Sequence, residues 1–483
     1  MNYNMKAYFL TFILLITLYP VLCQKQAWQT NLKCRDDLLI MDMKENENRE
    51  VFLSANAFKL NGTKNYALIY KLDKEGHILD ALVIEDSVKA IYISSVHFIE
   101  DDNISLFGAL SDSVTGLNVS FFNKVYNTNF EELSSKTHII SPDTRIYDFA
   151  TKVQPNTNIL LFGSCSINPA RFTSMVYEFD STFTLVKWNL PDSNNFGHYV
   201  DMQQLNDSII WALKVFPWLY EKLDSSFNVI EYYQIPRSML GNSSCKWAND
   251  STFYLFSGNL PGYNLAVIKQ FHPFDTTGHL FWRWRQTDTI DFPSVWKGID
   301  FKHPDTLFAG GTSNLSLSNP YYAHQPSWLV VFQTDSMLNL RWERFYGGDA
   351  YYVMMNLMAT NDGGCLLGGA RFDYHNATAN QRDIILLKLN SEGLLTGIDK
   401  MPEFQVREAI VYPNPGNEMN IRLAAQHPQA LLRLLDQHGR IVLQQHLIGT
   451  ESLVNTSYLA NGIYMYQLTA PTGLSESGKW MKQ

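Results

Sequence analysis

Between residues 30 and 400 the apolar positions fall in short runs, each cut by Asp, Asn, Ser or Gly. Runs of this length between turn formers predict strands. No part of this region holds a sustained helical period; residues 201–217 come nearest, and Asp207-Ser208 interrupts them. The runs recur in pairs. The first of each pair tends to follow Asp-Ser or Asp-Gly and to end in Gly or Ala, and the second often ends in a tripeptide of the Lys-Leu-Asp type. The clearest copy is Asp362-Gly363-Gly364-Cys365-Leu366-Leu367-Gly368-Gly369, with its partner at 383–390. Further copies pair 305–311 with 328–332, 250–258 with 265–269, 207–212 with 220–224, 158–163 with 175–180, 103–108 with 119–124, and 51–55 with 67–73. That makes about seven units of roughly 45–60 residues, the length of propeller blades.

One such unit cannot bury both faces of its small sheet, so it needs neighbours on either side. Radial closure supplies them and leaves only short edges. The expected fold is all-β, a β-propeller of about seven blades over 24–397. A stack of β-sandwich modules is the alternative. Glycines at the end of the first run provide a tight turn or a close backbone approach near the crowded axis. The Asp-Gly and Asp-Ser pairs supply turns, a role assigned to Asp224, Asp250, Asp305, Asp335, Asp362 and Asp383.

Beyond a mixed linker at 398–409 the pattern changes to clean alternation. Asn420, Arg422 and Ala424 alternate with Ile421 and Leu423, the mark of a half-buried strand. Residues 431–435 lead into a turn at 436–439, and 441–445 form the next strand. Asn461-Gly462 is a strong turn before a strand at 463–468. Pro413 and Pro415 bracket Asn414 and hold the chain extended. A small immunoglobulin-like β-sandwich over 410–483 is expected.

The tail resembles the type A C-terminal sorting domain of the type IX secretion system. Tyr412-Pro413-Asn414-Pro415 answers its opening motif, and Leu435-Asp436 with Gly439 its central hairpin turn. Leu459 with Gly462-Ile463-Tyr464 answers its Leu-x-x-Gly-x-Tyr element, and Gly478-Lys479 with Lys482 its basic end. Gln437-His438 lengthens the polar turn, and Trp480 stands where an aliphatic residue is usual. The resemblance implies recognition by the secretion machinery, transport across the outer membrane, removal of the tail, and release or surface anchoring of the cargo. The repeats at about 45–395 also resemble degenerate propeller repeats of secreted Bacteroidetes proteins, with Cys365 where Tyr is usual.

The N-terminus fits export. Lys6 precedes an almost wholly apolar run at 7–19, followed by Pro20. The run is shorter than the roughly 20 residues of a membrane span, which indicates a signal peptide over 1–23 with cleavage after Cys23. A lipoprotein signal is the rival, but Leu22 stands where a small residue is usual. No later run is long enough to span a bilayer. Cys34, Cys165, Cys245 and Cys365 are too scattered for a zinc or iron–sulfur site; one or two long-range disulfides and buried free thiols both fit.

A formal net charge of -9 disfavours nucleic acid as a main partner. The chain has 29 Phe, 25 Tyr and 11 Trp, which suits packed strands. No nucleophile elbow, His-Glu-x-x-His helix or phosphate loop is present. His97, His272, His303 and His324 lack ligand-like spacing. No cofactor is expected, and no motif supports a structural calcium. Trp282 and Trp284 share one strand face in Phe281-Trp282-Arg283-Trp284-Arg285, a candidate surface for stacking on sugar or anchoring a protein, with inter-blade core the plainer reading. The absence of a nucleophile signature favours a non-catalytic binding module at the cell surface or in the medium, with a glycan or protein ligand. The alternative is a hydrolase or lyase acting on polysaccharide or peptide through axial carboxylates.

Overall fold

The computed structural model describes residues 27–395 and 406–482, except 34–35, 60–63, 100–102, 113–114, 141–143, 169–170, 191–196, 216, 236–238, 260–262, 276, 285–288, 378, 408, 413–415, 424–426, 437–439 and 473. Every regular element among them is a strand. The proposed signal peptide at 1–23, Cys34 and most of the linker lie outside the described residues.

Seven antiparallel sheets follow one another as blades. Blade 1 holds Asp37–Glu45, Val51–Phe58, Asn65–Leu72 and Ile78–Ile84. Blade 2 holds Lys89–Phe98, Ile104–Asp112, Ser120–Tyr126 and Glu132–Ile139. Blade 3 holds Arg145–Val153, Ile159–Asn168, Arg171–Phe179 and Leu185–Asn189. Blade 4 holds His198–Asn206, Ile209–Val215, Leu219–Asp224 and Val229–Gln234. Blade 5 holds Met239–Trp247, Phe253–Asn259, Asn264–Gln270 and His279–Arg283. Blade 6 has a divided first strand, Phe292–Pro293 and Ile299–Asp300, then Leu307–Ser313, Trp328–Thr334 and Leu340–Gly347. Blade 7 takes Tyr351–Ala359, Cys365–Phe372 and Asp383–Leu389 from late in the chain. Its outermost strand is Trp28–Leu32, which pairs with Asp383–Leu389 and closes the ring. First strands of successive blades touch one another, so they line the axis.

Packing follows from this order. A buried apolar cluster fills each of the seven junctions between neighbouring blades. A strand with neighbours on both sides in its sheet and a blade packed on each face buries both faces, as Leu307–Ser313 does at every position. Outermost strands such as Glu132–Ile139 are largely exposed. The repeating glycines lie within second strands rather than at turns. Gly163 lies against the backbone of Asp148 and Phe149, and Gly311 against Phe292 and Pro293. Close approach to the first strand is therefore the reason for them. Residues 201–215 form a hairpin, with the turn where Asp207-Ser208 interrupts the helical pattern.

The C-terminal strands form two facing sheets. Ala409–Tyr412, Met419–Leu423 and Glu451–Val454 make one; Ile441–His446, Leu431–Leu435, Gly462–Thr469 and Ser475–Lys482 make the other. Their core is separate from the propeller's and centres on Trp480, Tyr466 and Leu432. Just before it, Val406–Arg407 pairs with Phe345 and Tyr346 at the outer edge of blade 6.

Candidate functional site

First strands converge on the axis, where polar groups from different blades can meet. Six first strands carry a register shift against their second strand: at Ile40/Asp42, Ile93/Ser95, Ile146/Asp148, Tyr199/Asp201, Leu240/Ser243 and Met354/Asn356. In blade 6 the break between its two first-strand pieces takes the same place and carries Trp296 and Lys297. Bulges bend a strand and re-aim its side chains. Here they send polar groups sideways, from one blade to the next.

The result is a belt of stitches around the axis. Asp42 of blade 1 accepts the Val96 N–H of blade 2 at 3.1 Å. His97 Nε2 of blade 2 lies 2.8 Å from the Thr151 hydroxyl of blade 3. Lys152 of blade 3 meets Asp201 of blade 4 at 3.2 Å, and Asp201 in turn lies beside Cys245 of blade 5. Lys246 of blade 5 meets Asp300 of blade 6 at 2.8 Å. Asp300 also accepts the Ala359 N–H of blade 7 at 2.9 Å. Asn356 of blade 7 donates to the Met41 carbonyl of blade 1 at 3.0 Å. Lys297 then reaches past blade 7 to Asp42, at 2.5 Å.

These contacts set the charge states. Burial alone would raise the Asp42 carboxyl, but Lys297 and Lys44 outweigh it and hold it near 2. Asp42 favours a charged Lys44, yet Lys297, burial and Lys246 together bring that amine down to about 8. Burial, helped by Lys44, takes His97 down to about 3, so its ring is neutral. Each belt carboxylate is thus engaged with a lysine and cannot readily act as a proton donor.

A different pair stands apart from the belt. Asp148 of blade 3 faces His198 of blade 4, with Nε2 3.5 Å from Oδ2. Burial pushes Asp148 up to about 7 against the hydrogen bond from the Phe149 backbone, and burial lowers His198 to about 4. Near neutrality the His198 ring is therefore neutral, while Asp148 is about half protonated and gains its charge as pH rises through 7. His198 Nδ1 is buried without a hydrogen-bond partner. Tyr321, on the loop between the second and third strands of blade 6, lies within electrostatic reach of Asp148. Two first-strand tyrosines of adjacent blades, Tyr92 and Tyr147, remain 37% and 53% exposed.

The sequence-derived residues fall elsewhere. Trp282 is half-buried against Phe332, with ring centroids 4.5 Å apart, and belongs to the junction of blades 5 and 6. Trp284 is buried in the same junction, under the guanidinium of Arg422 at 4.2 Å. Of the sorting residues, Pro413, Asn414, Pro415 and Gly439 lie outside the described residues. Gly462 and Lys482 are paired across the last two strands. The Tyr464 hydroxyl donates to the Ala460 carbonyl at 2.7 Å. Gly478 lies against the Tyr466 ring, where a Cβ would come within 2.4 Å. Lys479 is exposed, whereas Lys482 is buried with its amine on the Thr456 carbonyl. Asp224 and Asp335 cap turns, each accepting backbone N–H groups two and four residues on. Asp250 sits in a turn that Asn249 caps, and Asp305 accepts from the Ser336 hydroxyl. Asp362 caps its turn and also pairs with Lys388 at 2.8 Å. Asp383 instead opens a strand, 3.8 Å from Lys33. Cys165, Cys245 and Cys365 are free thiols. Among the described residues no three His, Cys, Asp or Glu side chains converge as a metal site.

Sequence reading missed the belt and the Asp148–His198 pair because it followed the second and third strands. The available signal was charge inside otherwise apolar first-strand segments, as with Asp42 and Lys44, or Asp148 and Lys152.

No curated protein matches the chain. Among solved structures it is similar to a protein of unknown function from Dyadobacter fermentans (9% identity, 74% of this chain and 97% of that one, TM-score 0.43). It is also similar to an α-L-arabinanase from Penicillium chrysogenum complexed with arabinobiose (10%, 77% and 99%, TM-score 0.35). A DUF4221-family member from Bacteroides vulgatus aligns as well (11%, 75% and 96%, TM-score 0.35). Residues 410–483 match the family described as the secretion system C-terminal sorting domain. This chain is a type IX secretion cargo, a β-propeller carrying a type IX C-terminal sorting domain behind it.

Proposed function

We propose that the propeller is a non-catalytic binding module, exported through a signal peptide at 1–23 and delivered to the cell surface or the medium. The observation that carries this reading is the belt. Asp42, Asp201 and Asp300, the carboxylates a polysaccharide hydrolase would draw on at the axis, are each tied to a lysine and hold blades together. The ligand site we assign is the Asp148 end of the axis, with a carbohydrate as ligand. Exposed tyrosine rings suit the apolar faces of sugars, and a half-protonated carboxyl beside a neutral imidazole can both donate and accept hydrogen bonds.

A second reading rests on the same pair. A carboxyl near 7 is poised as a general acid, as a glycosidase or lyase requires. Isothermal titration of the full chain against neutral and acidic oligosaccharides, with mass spectrometry of the same mixtures, separates the two. Binding lost in Tyr147→Ala and Asp148→Ala, with oligosaccharides recovered intact, is the expected result. Shortened products that accumulate with time, and stop in Asp148→Asn, would establish the enzyme instead.

A further inference from the structure

The sorting domain does not merely follow the propeller; one of its side chains is seated in it. Arg422 belongs to Met419–Leu423, where sequence alternation places it on the polar face. It is nevertheless only 5% exposed. Its guanidinium lies 4.2 Å from the centre of the Trp284 ring and 3.5 Å from Glu343 Oε1. Trp284 follows the outermost strand of blade 5, and Glu343 lies on that of blade 6, so the seat is at the rim, away from the axis. Asp291, fully buried, contributes a second carboxyl within electrostatic reach of Arg422.

Arg422 fills this seat incompletely. Its Nη1 is buried without a hydrogen-bond partner, as is Oδ2 of the neighbouring Asp291. Burial raises both Glu343 and Asp291 to about 7 even with the guanidinium present. An aromatic face with a carboxyl beside it, and a second buried carboxyl within electrostatic reach, is the arrangement that selects a planar, delocalised cation over a compact one.

We propose that the rim seat formed by Trp284 and Glu343 is a binding site for an arginine side chain of a partner protein, which Arg422 occupies in cis for as long as the sorting domain is docked. The seat is thereby closed while the tail is in place and open when the tail is withdrawn. This is independent of the sugar site assigned at the axis.

The test uses the full chain, with N-acetyl-arginine amide as the probe and N-acetyl-citrulline amide as its uncharged, near-isosteric control. Affinities are read by calorimetry and by tryptophan fluorescence. Arg422→Ala should bind the arginine probe at least tenfold more tightly than wild type, and at least tenfold more tightly than it binds citrulline amide. Adding Glu343→Gln should remove that preference. Arg422→Gln serves as a second opened variant if the alanine change disturbs folding. Equal binding by wild type and opened variants, no preference for arginine over citrulline, or an undiminished preference in the Glu343→Gln background would each overturn the proposal.

Discussion

At the residue scale, the turns after the third strands show how one backbone requirement is met in two ways. In six blades an Asp or Asn opens the turn, and the residue three positions later has positive φ: Gly76, Phe130, Phe183, Phe227, Leu338 and Gly393. Side chains in this region are strained, at a cost of about 1–3 kcal/mol. The phenylalanines and Leu338 offset it by plugging into inter-blade clusters. The two glycines make room for tryptophans instead. A Cβ on Gly76 would lie 2.4 Å from the Trp28 ring, and one on Gly393 2.7 Å from Trp342. Gly76→Ala and Gly393→Ala should therefore each destabilise the protein by about 2–4 kcal/mol, from strain plus overpacking, measured by denaturant unfolding. Phe227→Gly relieves strain but empties a fully buried site, so it should destabilise too. The charged residues predict pH behaviour. Asp42 has a folded pKa near 2, below its unfolded value of about 3.9. Its contribution is present above about pH 4 and is lost as pH falls toward 2. Asp42→Asn should cost about 2–3 kcal/mol at neutral pH and flatten that part of the acid limb. Asp148 behaves oppositely, because its folded pKa is raised to about 7. Its contribution is complete below about pH 4 and is lost as pH climbs through 7. Relative to wild type, Asp148→Asn should look better at pH 8 than at pH 4 in thermal melts.

At the element scale, what was legible in the sequence was what repeats. Second and third strands were readable as paired apolar runs because they are buried on both faces and end in recurring turn residues. Fourth strands were not, because solvent on the outer rim relaxes the pattern; Ile78–Ile84 and Glu132–Ile139 are largely exposed. First strands were obscured by their bulges, which break period-two alternation, and by the belt charges they carry. Arg422 was expected on a polar face because strand alternation reports one sheet, and burial by another unit leaves no trace in it. The ring-closing strand Trp28–Leu32 was unreadable for a third reason. Its five residues, Trp-Gln-Thr-Asn-Leu, hold only two apolar positions, and its partner lies more than 350 residues away. Closure rests on a few contacts. The Trp28 indole N–H donates to the Lys74 carbonyl at 2.8 Å, and the Thr30 hydroxyl donates to the Gly76 carbonyl at 2.6 Å. Nearby, Arg382 grips Asp37 through Nε at 2.8 Å, with Tyr321 and Tyr322 on its faces at 5.0 and 4.9 Å. Trp28→Ala should cost about 3–5 kcal/mol. Hydrogen exchange should quicken first in Asp383–Leu389, the strand that loses its partner. Uniform quickening across all blades would mean that the ring has no preferred seam.

At the scale of the whole molecule, two cores of different kinds share one chain. The propeller has seven junction clusters, each between two blades, so its stability depends on closure. The sorting domain has one continuous core of its own. The described connections between them are slight: the two-residue pairing of Val406–Arg407 with blade 6, and the seat of Arg422. Units with separate cores and a small shared surface unfold separately unless that surface is strong. Calorimetry of the full chain should therefore resolve two transitions. Arg422→Ala should move the sorting-domain transition and leave the propeller's unchanged, because Trp284 keeps its packing on Phe345 at 5.8 Å. Trp284→Ala should move both, since it removes the guanidinium's platform and hollows the junction of blades 5 and 6. A single transition that shifts equally in both variants would mean that the rim contact couples the two units into one cooperative body. The tail could then leave only by loosening the propeller, whereas with two transitions it can depart while the belt, the seven junctions and the Asp148–His198 pair stay as they are.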